Sequence, residues 1–182
     1  MTLLVLDIRV PVDPTIQSEQ ALVAILIALA PRLLTYLMSF LTLGIFWIGQ
    51  QTQLNSFERS DRNLTWIHLI FLLAVVLMPF STGLLAEYIT LRTALVVYWL
   101  NLFLLGVMLF ASVRYAWRSG LVKDGSNTDQ HAAQVRRIVI YQALYAFGAL
   151  LCVINTYVSI VFIVLLQLNS VLAPRVPLLD RI

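Results

Sequence analysis

The sequence predicts an all-α, polytopic membrane protein. It has five complete transmembrane helices and a shorter apolar stretch which, read as part of a helix, makes six per protomer. Three observations carry this. Apolar residues make up 60% of the 182-residue chain and charged residues only 12%, where a soluble domain carries roughly 25% charged residues. The mean hydropathy is +0.89. Apolar runs of about 20 residues, the length that crosses a ~30 Å hydrocarbon core, recur between short polar stretches.

The chain begins MTLLVLDIRVP. Leu3 to Leu6 read as the end of an apolar segment, and Asp7, Arg9 and Pro11 as the exit from it. Ten residues of helix rise only about 15 Å. Residues 1–10 are therefore either a short arm or part of a transmembrane helix. Ser18, followed by Gln20 and an apolar run, starts a helix that Pro31 kinks or ends. A continuous helix from Thr15 to Gln53 would reach about 58 Å, so residues 18–30 are expected to lie along the membrane interface. Full spans follow at about 32–54, 64–88 and 93–117. Lys123, Asp124, Gly125, Asn127 and Asp129 then mark a solvent loop. The apolar remainder from Ile138 to Leu172 would rise about 52 Å as one helix, too long for one crossing. Asn155–Thr156 is the polar pair near its middle, giving spans at about 134–154 and 156–173. The whole chain, 1–182, is read as a single transmembrane domain.

Charge supports the six-span count. With six spans, one face holds Arg59, Arg62, Arg114, Arg118, Lys123, Arg136, Arg137, Arg175 and Arg181, and the other holds Arg9, Arg32 and Arg92. Basic loops face the cytosol, which places the C-terminus there and the protein in the cell membrane. The net charge of +3 reports orientation; no basic patch on a soluble face suggests a nucleic-acid partner. The single cysteine, Cys152, lies in an apolar run and permits no intrachain disulfide.

Catalysis finds no support. His68 lies inside a span and His131 in the solvent loop, with no HxxxH or HExxH spacing for a metal or haem. A GxSxG elbow, a P-loop and paired in-span carboxylates are all missing, so no catalytic residue, metal or cofactor is expected. The informative groups are polar side chains inside spans, costly to leave in lipid: Ser39, Thr42, Gln50, Gln51, Thr65, His68, Asn101, Gln142, Asn155, Gln167 and Asn169. Interhelical hydrogen bonding is their ordinary role. Trp47, Trp66, Trp99 and Trp117 mostly flank spans, as an aromatic belt does. Pro79 predicts a kink whose freed carbonyl Ser81 and Thr82 do not obviously reach. A TVGYG filter loop is absent.

Several stretches in order, TLLVLDIRVP, YLMSFLTLGIFW and WIHLIFLLAVVLMPFSTGLLAEY, resemble the bacterial branch of the transmembrane protein 175 family, which includes the lysosomal potassium channel. The resemblance implies an unconventional potassium-channel architecture: a homotetramer of six-helix protomers, conducting potassium along an axis lined by the first helix. Potassium ions, membrane lipids and further copies of the chain are the implied partners. In that family the first helix carries Arg-x-x-x-Phe-Ser-Asp ahead of a stretch like TLLVLDI, so the resemblance places Met1 at a mid-helix position and the signature upstream.

Within the chain, Thr2 and Leu6 are four residues apart and Leu3 and Leu6 three, so they share one helix face. On the resemblance they line the pore as a hydroxyl layer and apolar layers that gate by dewetting. Asp7 either forms a four-carboxylate ring that attracts cations at the outer mouth or pairs locally with Arg9. Ser39, Trp47, Gln50, Gln51 and His68 are the implied supporting polar network. Family members often carry histidines where this chain has Gln50 and Gln51, and asparagine where it has His68. Two rivals remain from the residues alone. A secondary or proton-coupled transporter would use His68 and the in-span glutamines. A membrane scaffold would use Gly44, Gly49, Gly106 and Gly148 for close helix packing.

Overall fold

A computed structural model describes residues 18–123 and 128–172. They form five α-helices: α1 (Glu19–Ser56), α2 (Arg62–Glu87), α3 (Arg92–Arg118), α4 (Thr128–Leu150) and α5 (Thr156–Leu172), with a short 3-10 turn at Leu151–Val153. Among the described residues the only β-type pairing is an isolated antiparallel bridge between Phe57 and Val122. Four helical stretches are long and apolar enough to cross a membrane: Arg32–Ser56, Arg62–Glu87, Arg92–Arg118 and Thr128–Val153. Helix α5, with 17 residues, rises about 26 Å, near the lower limit for a crossing. The expected segment at 1–10 lies outside the described residues.

Local chemistry explains the helix ends. Ser18 caps α1, its hydroxyl accepting from the Ala21 amide at 3.2 Å. Asp61 caps α2 by accepting from the Leu64 amide at 2.8 Å, the ordinary use of a short polar side chain before a helix. Helix α3 ends at Ser119 and Gly120, where a φ of +63° suits glycine and turns the chain. Between α4 and α5, Asn155 accepts from the Tyr157 amide at 2.8 Å.

Two elements differ from the sequence reading. Residues 18–30 are not a separate helix, because α1 runs unbroken through position 31. A proline removes one backbone hydrogen bond, which bends a helix in an apolar setting without ending it. His131 is not in a loop: α4 begins at Thr128, with Asp129 in its first turn, where a carboxylate favours the helix N-terminus.

The helices pack as an antiparallel bundle in which α2 lies along α3, α3 along α4, and α1 touches α2, α3 and α5. The buried face of α1 reads Thr35, Met38, Ser39, Thr42, Leu43, Phe46, Gln50 and Gln53, the three-and-four spacing of one helical stripe. The opposite face, including Leu33, Leu37, Phe40 and Ile48, is exposed and apolar. In a membrane that is a lipid-facing or subunit-facing surface. At Gly106 an added Cβ would lie 1.6 Å from Gln142 Nε2. The glycine lets the Gln142 amide lie across α3, donating to the Leu102 carbonyl at 3.4 Å.

The break at Pro79 is bridged from the neighbouring helix. Pro79 lacks an N–H and sits inside α2, which disturbs the turn before it. With its amide oriented by its surroundings, Asn101 of α3 donates to the Ala74 carbonyl at 3.0 Å. Its oxygen accepts from the Met78 amide at 3.2 Å and the Ser81 hydroxyl at 3.1 Å. Asn101 thus clamps the turn of α2 that precedes Pro79 from the neighbouring helix. Replacing it by an apolar side chain of similar size, Asn101→Leu, removes these bonds and is expected to cost about 1–3 kcal/mol. Pro79→Ala restores the helical ladder, so the same replacement costs less in that background. Thermal unfolding in detergent of the four proteins in this cycle measures the difference; equal costs in both backgrounds would refute the bridging role.

Candidate functional site

Thr2, Leu3, Leu6 and Asp7 lie outside the described residues. The other five residues singled out in the sequence do not gather in one place. Ser39 is fully buried at mid-bundle, where its hydroxyl shares a hydrogen bond with Thr82 of α2. Trp47 points outward with 54% of its surface exposed, and Gln51 is also exposed. Gln50 is buried, its side-chain oxygen without a partner. His68 is partly buried one helix away: Nε2 lies 3.0 Å from the Ser112 hydroxyl, and the ring stacks 6.3 Å from that of Phe57.

Around Ser39 the structure assembles a polar seam joining α1, α2, α3 and α5. Thr42 is its hub. Its hydroxyl donates to the Met38 carbonyl at 2.8 Å, lies 3.1 Å from the Tyr98 hydroxyl and accepts from Gln167 Nε2. A hydroxyl has one proton and two lone pairs. With the proton on Met38, Tyr98 must donate, and Thr42 is saturated. Tyr98 and Gln167 are both fully buried. Sequence reading named Thr42 and Gln167 as in-span polar groups but missed Tyr98, because an aromatic in an apolar run carries no sign of where its hydroxyl points. The spacing of Ser39 and Thr42, three residues apart on one helix face, was the available signal.

At the opposite end from Arg32 and Glu87, which form an exposed ion pair at 2.6 Å, two loops meet. The Glu58 amide donates to the Leu121 carbonyl at 2.9 Å and the Lys123 amide to the Ser56 carbonyl at 3.1 Å. Tyr115 donates its hydroxyl to Asp61, and Asn63 Nδ2 donates to the Tyr115 oxygen at 3.1 Å. The Tyr115 hydroxyl, and after it the Leu64 amide, hold the Asp61 carboxyl below its ordinary value of 3.8. Among the described residues no group of three or more His, Cys, Asp or Glu side chains could hold a metal ion. Cys152 is buried and free.

Two outcomes follow from these contacts. Thr42→Val strips Tyr98 and Gln167 of their shared partner and is expected to destabilise the bundle by about 1–3 kcal/mol, with Thr42→Ser close to the parent protein. Melting in detergent checks this, and equal effects of the two changes would refute the hub role. For Asp61, a depressed value means that its contribution to stability is present above the unfolded value near 3.8 and is lost as pH falls through the lower folded value. Asp61→Asn keeps a capping side chain and removes the charge. The variant should melt below the parent at about pH 7, with the gap narrowing below the unfolded value near 3.8 and closing as pH falls through the lower folded value.

Comparison with known proteins bears on the N-terminal part of the chain. Residues 1–79 match the family described as the endosomal/lysosomal potassium channel TMEM175. A potassium channel of Streptomyces collinus is 36% identical over 89 residues, a stretch covering 49% of this chain and 42% of that protein. A potassium channel of Chamaesiphon minutus is 34% identical over 89 residues, 49% of this chain and 43% of the relative. One from a Chryseobacterium strain is 28% identical over 82 residues, 45% and 39% respectively. The matched stretch is thus less than half the length of each relative. No solved structure matches the chain. Over residues 1–79, the chain is thus similar to the transmembrane protein 175 family.

Proposed function

We propose that the chain is the protomer of a potassium-permeable channel, a homotetramer whose axis is lined by its N-terminal segment. The observation that carries this reading is the family match over residues 1–79, together with relatives that are themselves named potassium channels. In this reading Thr2, Leu3 and Leu6 form the pore layers available in this sequence, and Asp7 concentrates cations at the outer mouth. The apolar layers control passage by wetting, since an ion crossing them must shed part of its hydration shell. The basic ends of α3 and α4 face the cytosol, and the C-terminus with them. No group in the reading carries catalysis, and potassium is the permeant species with no resident cofactor.

The test is the reversal potential of the purified, reconstituted protein with potassium and sodium on opposite sides. A potential displaced toward the potassium equilibrium value supports the proposal. Saturable, counter-ion-coupled uptake without unitary current would replace it with a transporter. Leu6→Ser is expected to ease wetting of the constriction and raise unitary conductance, while Asp7→Asn lowers current at low ionic strength. The Asp7 effect should fade with added salt, since charges are screened over about 10 Å at 0.1 M. Conductance unchanged in Leu6→Ser would remove that residue from the pore.

A further inference from the structure

The end of the bundle where the α1–α2 and α3–α4 connections meet carries a crevice open on one side. Ser56, Phe57, Val113, Trp117, His131 and Gln134 are among its walls. Its interior, about 30 Å³, is roughly the volume of one water or one polar ligand atom, so anything larger must sit at the mouth. The His131 ring stacks on Trp117 with centroids 4.4 Å apart. Its Nε2 is buried without a hydrogen-bond partner, and a buried ring nitrogen left unpaired calls for one.

The rim is basic. Arg114 and Arg118 are one helical turn apart on α3 and exposed, and Arg114 lies within electrostatic reach of the His131 ring. Lys123 enters from the facing connection, held by its amide to Ser56. Arg32–Glu87, an ion pair at the other end of the bundle, involves none of these three. Of the carboxylates at this end, Glu58, Asp61 and Asp129, Asp61 is engaged by Tyr115 and Leu64. Below the crevice, α4 continues at four-residue steps from His131 through Val135 and Val139, the latter half exposed. A cationic mouth above an apolar stripe fits an amphiphile and not a free anion.

We infer that this crevice holds the headgroup of an anionic phospholipid. Its phosphodiester lies between the Arg114 and Arg118 guanidiniums, one oxygen accepts from His131 Nε2–H, and its acyl chains run along Val135 and Val139. Guanidinium forks suit phosphate oxygens, and basic recesses between transmembrane helices are where such headgroups dock. Trp117, beside His131, is of the residue type enriched at membrane–water interfaces. The site is independent of whether the protein conducts ions.

Native mass spectrometry of the full chain in uncharged detergent tests it, with phosphatidylglycerol and phosphatidylcholine of identical acyl chains as probes. Phosphatidylglycerol should be retained about tenfold or more in preference. Arg114→Gln with Arg118→Gln should reduce that retention about tenfold to thirtyfold, with Arg114→Lys and Arg118→Lys recovering part of it. Arg59→Gln with Arg62→Gln, at the same end but not among the residues lining the crevice, should change it less than about threefold. Should the double arginine variant fail to fold, His131→Leu, judged by circular dichroism, replaces it and should still lower retention. Equal retention of the two lipids overturns the inference. So does an equal loss from both arginine pairs, which would mean diffuse attraction to a basic surface. Displacement by inorganic phosphate alone would make it a free-anion site and overturn it likewise.

Discussion

Inside a hydrocarbon layer no water stands ready to complete a broken hydrogen bond, and every backbone and side-chain polar group must find its partner in protein. This constraint orders the bundle more than apolar contact does, since lipid tails attract leucine as well as another leucine would. Thr42 illustrates it: one hydroxyl with all its bonding capacity used ties its own helix to α3 through Tyr98 and to α5 through Gln167. Ser39 ties the same helix to α2 through Thr82. Four helices are thereby fixed in rotation about their axes. A turn of any one of them by a single residue would carry its polar group into an apolar wall.

The same constraint explains why a proline can stand in the middle of α2. Its cost in a helix interior is the loss of a hydrogen bond and a clash with the preceding turn. Here Asn101 reaches across from α3 and completes the Ala74 and Met78 groups. Local sequence could not reveal this, because the donor is 22 positions beyond the proline in the chain and only the pairing of α2 with α3 brings it there. What was legible was the problem, a freed backbone group that Ser81 and Thr82 seemed unable to serve. Ser81 enters the solution indirectly, as a partner of Asn101.

Helical class was readable because apolar runs in membranes have a length set by the bilayer, not by neighbouring elements. Tertiary pairing was less readable, and the misses share a cause. Gly106 looked like one small residue among several, yet its role depends on Gln142, which lies across it from α4. His131 looked solvated because its neighbours are polar, yet α4 starts early enough to lay its ring on Trp117. Pro31 looked like a boundary because a proline often is one, yet the helix passes through it. In the first two cases composition described one strand of chain, and the outcome rested on a second one far away in sequence. The candidate site was legible only as residue types: Ser39 and Gln50 are buried, whereas Trp47 and Gln51 face outward.

The seam also bears on where an ion path can run. To replace the hydration shell of a potassium ion, a path needs several oxygens free to turn toward it. In the seam the Thr42 hydroxyl is saturated, and Ser39 and Thr82 hold each other. Opening these contacts to an ion would cost the bonds that set the rotation of four helices. The seam is therefore better suited to hold position than to conduct. A rigid wall of this kind is what an axial pore formed between copies of the chain requires: the lining helix can wet and dewet at its apolar layers while the helices behind it stay in register. On the proposed reading, the selective chemistry falls to the N-terminal segment and its mechanical support to the Thr42 seam and the Asn101 clamp.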